Sequence, residues 1–345
     1  MGIKGYKMKI CVYADPHWSQ YSSILRSRGK KYSTRLEGLI DTMNWVEEIS
    51  EEHGCDAILC LGDFFDKPSL NAEEITALKE VHWNKSINHY FLVGNHEMGS
   101  NDLIFNSTNV LDFTVFDTPY KKDYDDMETQ ICVLPYILER NRDTIQDYFG
   151  DTQYRRIIFS HNDVKGIQLG LVESQTGFEL SDIRNNCDYF INGHIHNAGT
   201  LFSDSTNYFN LGNISGQNFS EDATRYRHCA LIIDITKEGI SMDFYENPYA
   251  FNFYKLIEDE YKYIEYRNAV VSLKISESKV EKARKYLSDK TIELRILTEY
   301  EHEESSEEYE EKIESSDYLN KFVQYVFSNI GNNELISDEL MKVIG

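Results

Sequence analysis

Residues 56–66 read DAILCLGDFFD. The apolar run from Ala57 to Leu61 is unbroken, and it ends abruptly on Gly62 and Asp63, with Asp66 close behind. A run that does not alternate apolar with polar is what a strand covered on both faces requires. The same pattern precedes it in KMKICVYADPHW (7–18) and follows it in HYFLVGNHE (89–97), RRIIFSHND (155–163) and CDYFINGHIH (187–196). Between these runs the spacing changes to that of helices. Arg35 to Glu52 places Leu36, Leu39, Ile40, Met43 and Val46 on one face, and Ala72 to Trp83 reads as a second helix with Asn71 as its cap. Strands alternating with helices predict an α/β fold, a β-sandwich flanked by helices. In such folds the loops at the carboxyl ends of the strands gather into one site. Here five strands are each expected to deliver polar residues to it.

Farther along, NYFNLG (207–212) and CALIIDI (229–235) read as two more strands, after which the character changes. Pro248 and the polar stretch 257–268 mark a boundary. AVVSLKIS (269–276), the helical KVEKARKYL (279–287) and TIELRIL (291–297) form a small β-α-β unit. The acidic run EHEESSEEYEEKIESS (301–316) leads into a stretch with Leu319, Phe322, Val323, Val326 and Ile330 at helical spacing. The expected organisation is a main domain over 1–250, a small α/β cap over 251–300, and an acidic linker with a C-terminal helical segment over 301–345. The aromatic face of that segment makes it a candidate for docking a partner.

Composition narrows the function. The chain has 345 residues, 41% of them hydrophobic and 27% charged, which excludes a wholly disordered chain and suits two domains. It holds no apolar run of the roughly 18 residues a membrane span needs, so no membrane partner is expected. The start, MGIKGY, lacks the apolar core of a secretory signal, and Tyr6 stands where a myristoylation signal needs Ser or Thr. Six cysteines without a CxxC pair read as buried reduced thiols, so an intracellular, cytoplasmic location is expected. The 35 Lys and Arg face 58 Asp and Glu, for a net charge of −23, which disfavours phosphate backbones. Residues 301–316 account for −7 of it, with eight Glu and one Lys. Against the trend, RSRGKKYSTR (26–35) holds five basic residues and no acid directly after the first polar cluster. It is a candidate for steering DNA, as Trp18 and Tyr21 are for stacking on a base.

The chemistry lies in the five clusters: Asp15-x-His17, Gly62-Asp63-x-x-Asp66, Gly94-Asn95-His96-Glu97, Ser160-His161-Asn162 and Gly193-His194-x-His196. Five of the ten histidines fall in them; His53, His82, His89, His228 and His302 do not. Asp, Asn and His without Cys suit borderline-to-hard divalent cations. About seven donors exceed the need of one ion and suit two that share a carboxylate, roughly 3.5–4 Å apart.

This ordered set, D-x-H, G-D-x-x-D, G-N-H-E, a lone His and G-H-x-H, resembles the calcineurin-like metallophosphoesterase superfamily over about residues 8–235. The resemblance implies a metallophosphoesterase sandwich holding two divalent metal ions. Asp15, His17 and His196 would hold one, Asn95, His161 and His194 the other, with Asp63 shared. It makes His96 the catalytic residue, orienting the phosphate or protonating the leaving oxygen. Asp66 and Glu97 are expected to support the ligands, and Asp163 reads equally as a surface residue. Gly62, Gly94 and Gly193 are expected to let the chain turn at the strand ends.

Within the superfamily, protein Ser/Thr phosphatases carry G-D-x-V-D-R-G and an Arg before G-N-H-E, whereas this chain has GDFFDKP (62–68) and Val93. GDFFDKP is similar to the SbcD and Mre-type repair nucleases, including those of tailed phages. That resemblance implies a Mn²⁺-dependent DNA exo- or endonuclease acting in recombination or repair with an SMC-like ATPase subunit. A homodimer is left open. Two departures, Trp18-Ser19 after the first cluster and Gly212-Asn-Ile-Ser215 after the fifth, are expected to line the approach to the site. The alternative is a nucleotide or small-molecule phosphodiesterase or phosphatase of the same superfamily. A non-catalytic binding module fits less well, because the whole donor set and His96 are present.

Overall fold

The computed structural model describes residues 6–298 apart from 23, 99–107, 109, 170–171, 203–206 and 222. The acidic run and the proposed C-terminal helix lie outside the described residues. The described residues divide into two compact units: 6–255, 265–271 and 290–293, and 256–264, 272–289 and 294–298.

In chain order the strands and helices of the first part are β1 (Lys7–Tyr13), α1 (Thr34–Glu52), β2 (Ala57–Cys60), α2 (Ala72–Leu78), β3 (Asn88–Leu92), β4 (Thr114–Phe116), β5 (Tyr120–Tyr124) and β6 (Thr129–Leu134). They continue with α3 (Ile145–Phe149), β7 (Arg155–Ser160), the short β8 (Gln168–Leu169) and β9 (Val172–Glu173), α4 (Leu180–Asn186), β10 (Tyr189–Asn192), β11 (Gly199–Phe202), β12 (Asn207–Asn210), β13 (Cys229–Thr236) and β14 (Ile240–Glu246). One sheet runs β14-β13-β1-β2-β3-β4, and a second runs β11-β12-β10-β7-β6-β5. The neighbours β1, β2, β3 and β4 are parallel, as are β6, β7, β10 and β12.

The side-chain period of a strand explains the continuous apolar runs. Ile10, Val12 and Ala14 point between the sheets and pack with Leu59, Leu61, Ile157, Phe159 and Ile191. Cys11 and Tyr13 point the other way and pack with Leu36, Leu39, Met43 and Val46 of α1. On the far side Cys132, Ile158 and Phe190 pack with Ile145, Phe149 and Ile183 of α3 and α4. The result is the expected sandwich of two sheets with helices outside.

Ser33 caps α1 by accepting from Leu36 N, and Asn71 and Glu74 form a reciprocal capping box on α2. The second helix ends at Leu78, short of Trp83. Trp83 folds back so that its indole N–H donates to the Leu78 carbonyl, 3.3 Å away. Its ring packs edge-on against Phe113 and His89, so the apolar spacing through Trp83 marks a turn into the core.

The chain ends its described course with β15 (Asn252–Ile257), β16 (Ala269–Lys274), α5 (Val280–Leu287) and β17 (Thr291–Leu297). These give the expected β-α-β order plus one more strand, and the three strands pair in the order β15-β16-β17. Within the second unit Lys279 ties Glu258 and Asp259 to the start of α5, at 2.7 and 3.3 Å.

Candidate metal centre

The five clusters do converge, and backbone pairing brings the first two together. The loops after β1 and β2 run side by side beyond the sheet: Asp15 N donates to Gly62 O, His17 N to Asp63 O and Trp18 N to Phe64 O. The loop after β3 joins through Glu97. Its buried carboxylate accepts from Asp63 N at 3.1 Å, Phe65 N at 2.8 Å and Gly94 N at 2.8 Å. Glu97 is thus a structural staple between two loops. Burial, then the nearby Asp63 charge, pushes its carboxyl up to about 8.

Close approach also dictates two of the glycines. A Cβ on Gly94 would lie 2.2 Å from Asp63 Oδ1, and one on Gly62 would meet the His161 ring at 2.6 Å. Only Gly62 has a positive φ, +107°; Gly94 and Gly193 do not, so the expectation of a sharp turn holds at one position of the three. Asp15, His17, Asp63 and His194 themselves take left-handed backbone angles, φ 47–71°. Such strain gathers where a site must be aimed.

The donor atoms fall into two sets that share Asp63. Asp15, His17 and His196 bring one ligand atom each to within 4.8 Å of one another, as do Asp63, His161 and His194. Asn95 Oδ1 lies 3.2 Å from His161 Nε2 and 2.9 Å from His194 Nδ1, inside the second set. Asp63 uses Oδ1 to accept from His96 N at 2.9 Å and turns Oδ2 toward His161 Nε2 at 3.2 Å and His17 Nε2 at 3.9 Å. One oxygen therefore faces both sets. His96 Nε2 lies 4.0 Å from the same oxygen, and His96 Nδ1 donates to the Asp66 carbonyl at 2.8 Å. His17, Asp63 and His96 also come within 4.8 Å, so distance alone leaves His96 near the donor set.

Each of the four histidines at the centre turns one nitrogen inward and the other toward an acceptor. His161 Nδ1 donates to Leu61 O at 2.7 Å, and His194 Nε2 to Asp163 Oδ1 at 3.0 Å. His196 Nδ1 meets Glu221 Oε1 at 3.0 Å, and His17 Nδ1 lies 3.3 Å from Asp66 Oδ1, though off the line of a hydrogen bond. Fixing the outer nitrogen selects the tautomer whose inner nitrogen holds a lone pair, as ligand histidines require. The charges agree. Burial disfavours an ionised Asp63, yet His161, then His17 and His96, hold its carboxyl well below the usual range. His161 is pushed up to about 9 despite its burial, chiefly by Asp63. Without a cation, a proton on His161 balances the Asp63 carboxylate 3.2 Å away, and a cation bound here would take that proton's place.

Several residues differ from the sequence-based expectation. Asp163 backs His194, and Glu221, which carries no local signal, backs His196. Trp18 is fully buried, with Nε1 donating to Glu74 O, so it does not stack on a ligand. Ser19, Asn213 and Ser215 are buried as well and brace the first loop. Asn213 Nδ2 donates to Asp15 O and Ser215 Oγ to Pro16 O. The two departures therefore support the Asp15–His17 loop and do not line the approach. The basic stretch is largely spent: Arg28 pairs with Glu73 at 2.6 Å and Lys31 with Glu80 at 2.7 Å. Arg35 is buried and donates to His17 O at 2.9 Å and Ser19 Oγ at 3.2 Å. Arg26 and Lys30 stay exposed.

The chain is similar, at low identity, to several solved structures. A dimetal phosphatase from Danio rerio is 13% identical with a TM-score of 0.44, covering 70% of this chain and 96% of that one. A putative 5′-nucleotidase from Staphylococcus aureus is 14% identical with a TM-score of 0.42, covering 70% and 53%. A phosphoesterase from E. coli is 14% identical with a TM-score of 0.34, covering 70% and 100%. Among curated proteins none matches significantly. Among the described residues no helix is long and apolar enough to cross a membrane. The calcineurin-like phosphoesterase model matches residues 8–198, more than half of the chain and all five clusters, so the chain belongs to that family, whose members use a dinuclear divalent metal centre.

Proposed function

We propose that this chain is a two-metal phosphodiester hydrolase that cleaves DNA with Mn²⁺. The observation carrying the hydrolase reading is the pair of donor sets meeting at Asp63 Oδ2, with His96 Nε2 4.0 Å from the same oxygen. Asp15, His17 and His196 would hold one ion, Asn95, His161 and His194 the other, and Asp63 would serve both. Bound there, two divalent cations neutralise phosphate oxygens and acidify water. His96, anchored by the Asp66 carbonyl through Nδ1, keeps Nε2 free to hydrogen-bond the phosphate or to give a proton to the leaving oxygen. Asp66, Asp163 and Glu221 hold the ligand rings in place.

DNA as substrate rests on GDFFDKP (62–68) and on the order of the chain, with the small β-α-β unit after the main sandwich. The same order supports an SMC-like ATPase as partner, docked by the 315–330 segment. Phe322→Asp would then abolish the complex without lowering the melting temperature, whereas a helix packed on its own chain would lose stability. The second reading is a nucleotide or small-molecule phosphodiesterase. It is favoured by the net charge of −23 and by the pairing of Arg28 and Lys31 with Glu73 and Glu80. A Mn²⁺-dependent assay of labelled DNA, bis-p-nitrophenyl phosphate and nucleotides decides between them. Cleavage of nucleotides with none of DNA overturns the first.

A further inference from the structure

We infer that Tyr136 contacts the substrate of this centre, its phenol donating to a non-bridging oxygen of the phosphoester on the Asn95–His194 side. The inference rests on the hydrolase reading above and adds a sixth loop to the five that the sequence shows. Strand β6 pairs in parallel with β7, Leu134 opposite Ser160, so the residues after it reach the same rim as His161. Those residues are Pro135 and Tyr136.

The backbone around Tyr136 is fixed on both sides. Tyr136 N donates to Val93 O at 2.8 Å, just before Gly94 and Asn95. Asn162, fully buried beside His161, donates through Nδ2 to Pro135 O at 2.9 Å and accepts through Oδ1 from Ile137 N at 2.9 Å. Arg142 Nη2 donates to Ile137 O at 2.9 Å. Neighbours of two candidate ligands thus set the direction of this side chain.

The ring stands at the centre. Its centroid lies 5.6 Å from that of His194, tilted by 42°, and 6.4 Å from that of His161. Although the residue is only part-exposed, its hydroxyl makes no hydrogen bond with any described residue. A rigidly aimed side chain with an unspent donor is what preorganised binding of an anion needs. A phenol also suits the place physically. It is neutral at physiological pH, so it offers a hydrogen bond without a positive charge that would repel cations beside it.

The test uses the full-length chain loaded with Mn²⁺ and the variant Tyr136→Phe, which keeps the ring and removes only the hydroxyl. Inorganic phosphate is titrated calorimetrically, bis-p-nitrophenyl phosphate turnover is measured, and metal content and melting temperature are recorded. Phosphate affinity and kcat/KM are expected to fall by roughly 10–100-fold, the worth of one hydrogen bond to a charged group. Metal content and melting temperature should stay at wild-type values. Unchanged phosphate affinity and kcat/KM overturn the assignment, as does a loss of metal or of stability, which would make Tyr136 a packing residue. A loaded wild type that binds no phosphate overturns it too. A wild type that binds phosphate but hydrolyses nothing sinks the hydrolase reading, and the phosphate titration still decides Tyr136.

Discussion

His17 and His196 face each other nitrogen to nitrogen, Nε2 to Nε2 at 3.0 Å, with Asp66 near the outer nitrogen of the first ring and Glu221 bonded to that of the second. Two imidazole lone pairs so close repel unless a proton or a cation lies between them. The carboxylates behind the rings make both nitrogens more basic and so favour the cation. Glu221→Gln keeps the size and an acceptor oxygen but removes the charge. It is expected to weaken Mn²⁺ binding at the Asp15–His17–His196 set by roughly 10–100-fold and leave the other set unchanged. A Mn²⁺ titration that resolves two sites reads this directly, and equal weakening of both would refute the division into two sets.

Asp63 is predicted to behave differently because its Oδ2 faces both sets. Asp63→Asn should cost both ions together, whereas His17→Ala should weaken mainly one. Metal analysis of the purified variants is the measurement. Two Mn²⁺ per chain retained by the Asp63 variant would remove it from its shared position.

His96 lies close enough to Asp63 and His17 to be mistaken for a ligand. If it acts on the phosphate, His96→Ala keeps wild-type metal content and loses turnover by roughly 10²–10⁴-fold, the worth of a positioned acid. A variant that loses an ion would make His96 a ligand.

The residues of the centre were legible because a strand covered on both faces carries an unbroken apolar run, so the Gly, Asp, Asn or His cluster that closes it stands out. Asp15, Asp63, Asn95, His161 and His194 all follow strands of this kind. Glu221 and Tyr136 were not legible in that way. Glu221 comes from an aperiodic segment and gains its meaning only from contact with His196. Strand β6, TQICVL, has the apolar run but passes into Pro135, Tyr136 and Ile137 and not into a Gly, Asp, Asn or His cluster, so nothing marked its end. The edge strand β5, YKKDY, is nearly all exposed, and the charges that hide its pattern also protect a free sheet edge. Arg35 could not be told from Arg26 or Lys30 by composition. Only its place at the start of α1, over the carbonyl of His17, separates it from them.

That separation yields the last prediction. Arg35 donates from inside the protein to the loop that carries Asp15 and His17, and its removal leaves the His17 carbonyl with Ser19 Oγ as its remaining donor and a buried void beside the loop. Arg35→Ala is expected to lower stability by roughly 1–3 kcal/mol and to reduce turnover of every substrate alike, because the ligand loop itself loosens. Arg26 and Lys30 are exposed, so the double variant Arg26→Gln, Lys30→Gln should leave both the melting temperature and bis-p-nitrophenyl phosphate turnover unchanged. If the chain acts on DNA and these two charges steer it, the double variant cleaves DNA more slowly at low salt and shows a shallower dependence of its rate on salt. Steering by two exposed charges is screened over about 10 Å at 0.1 M salt, so the difference from wild type should vanish as salt is raised. DNA cleavage identical to wild type at every salt concentration would remove residues 26–31 from any path of the nucleic acid, and it would leave the paired charges of Arg28 and Lys31 as braces of the fold.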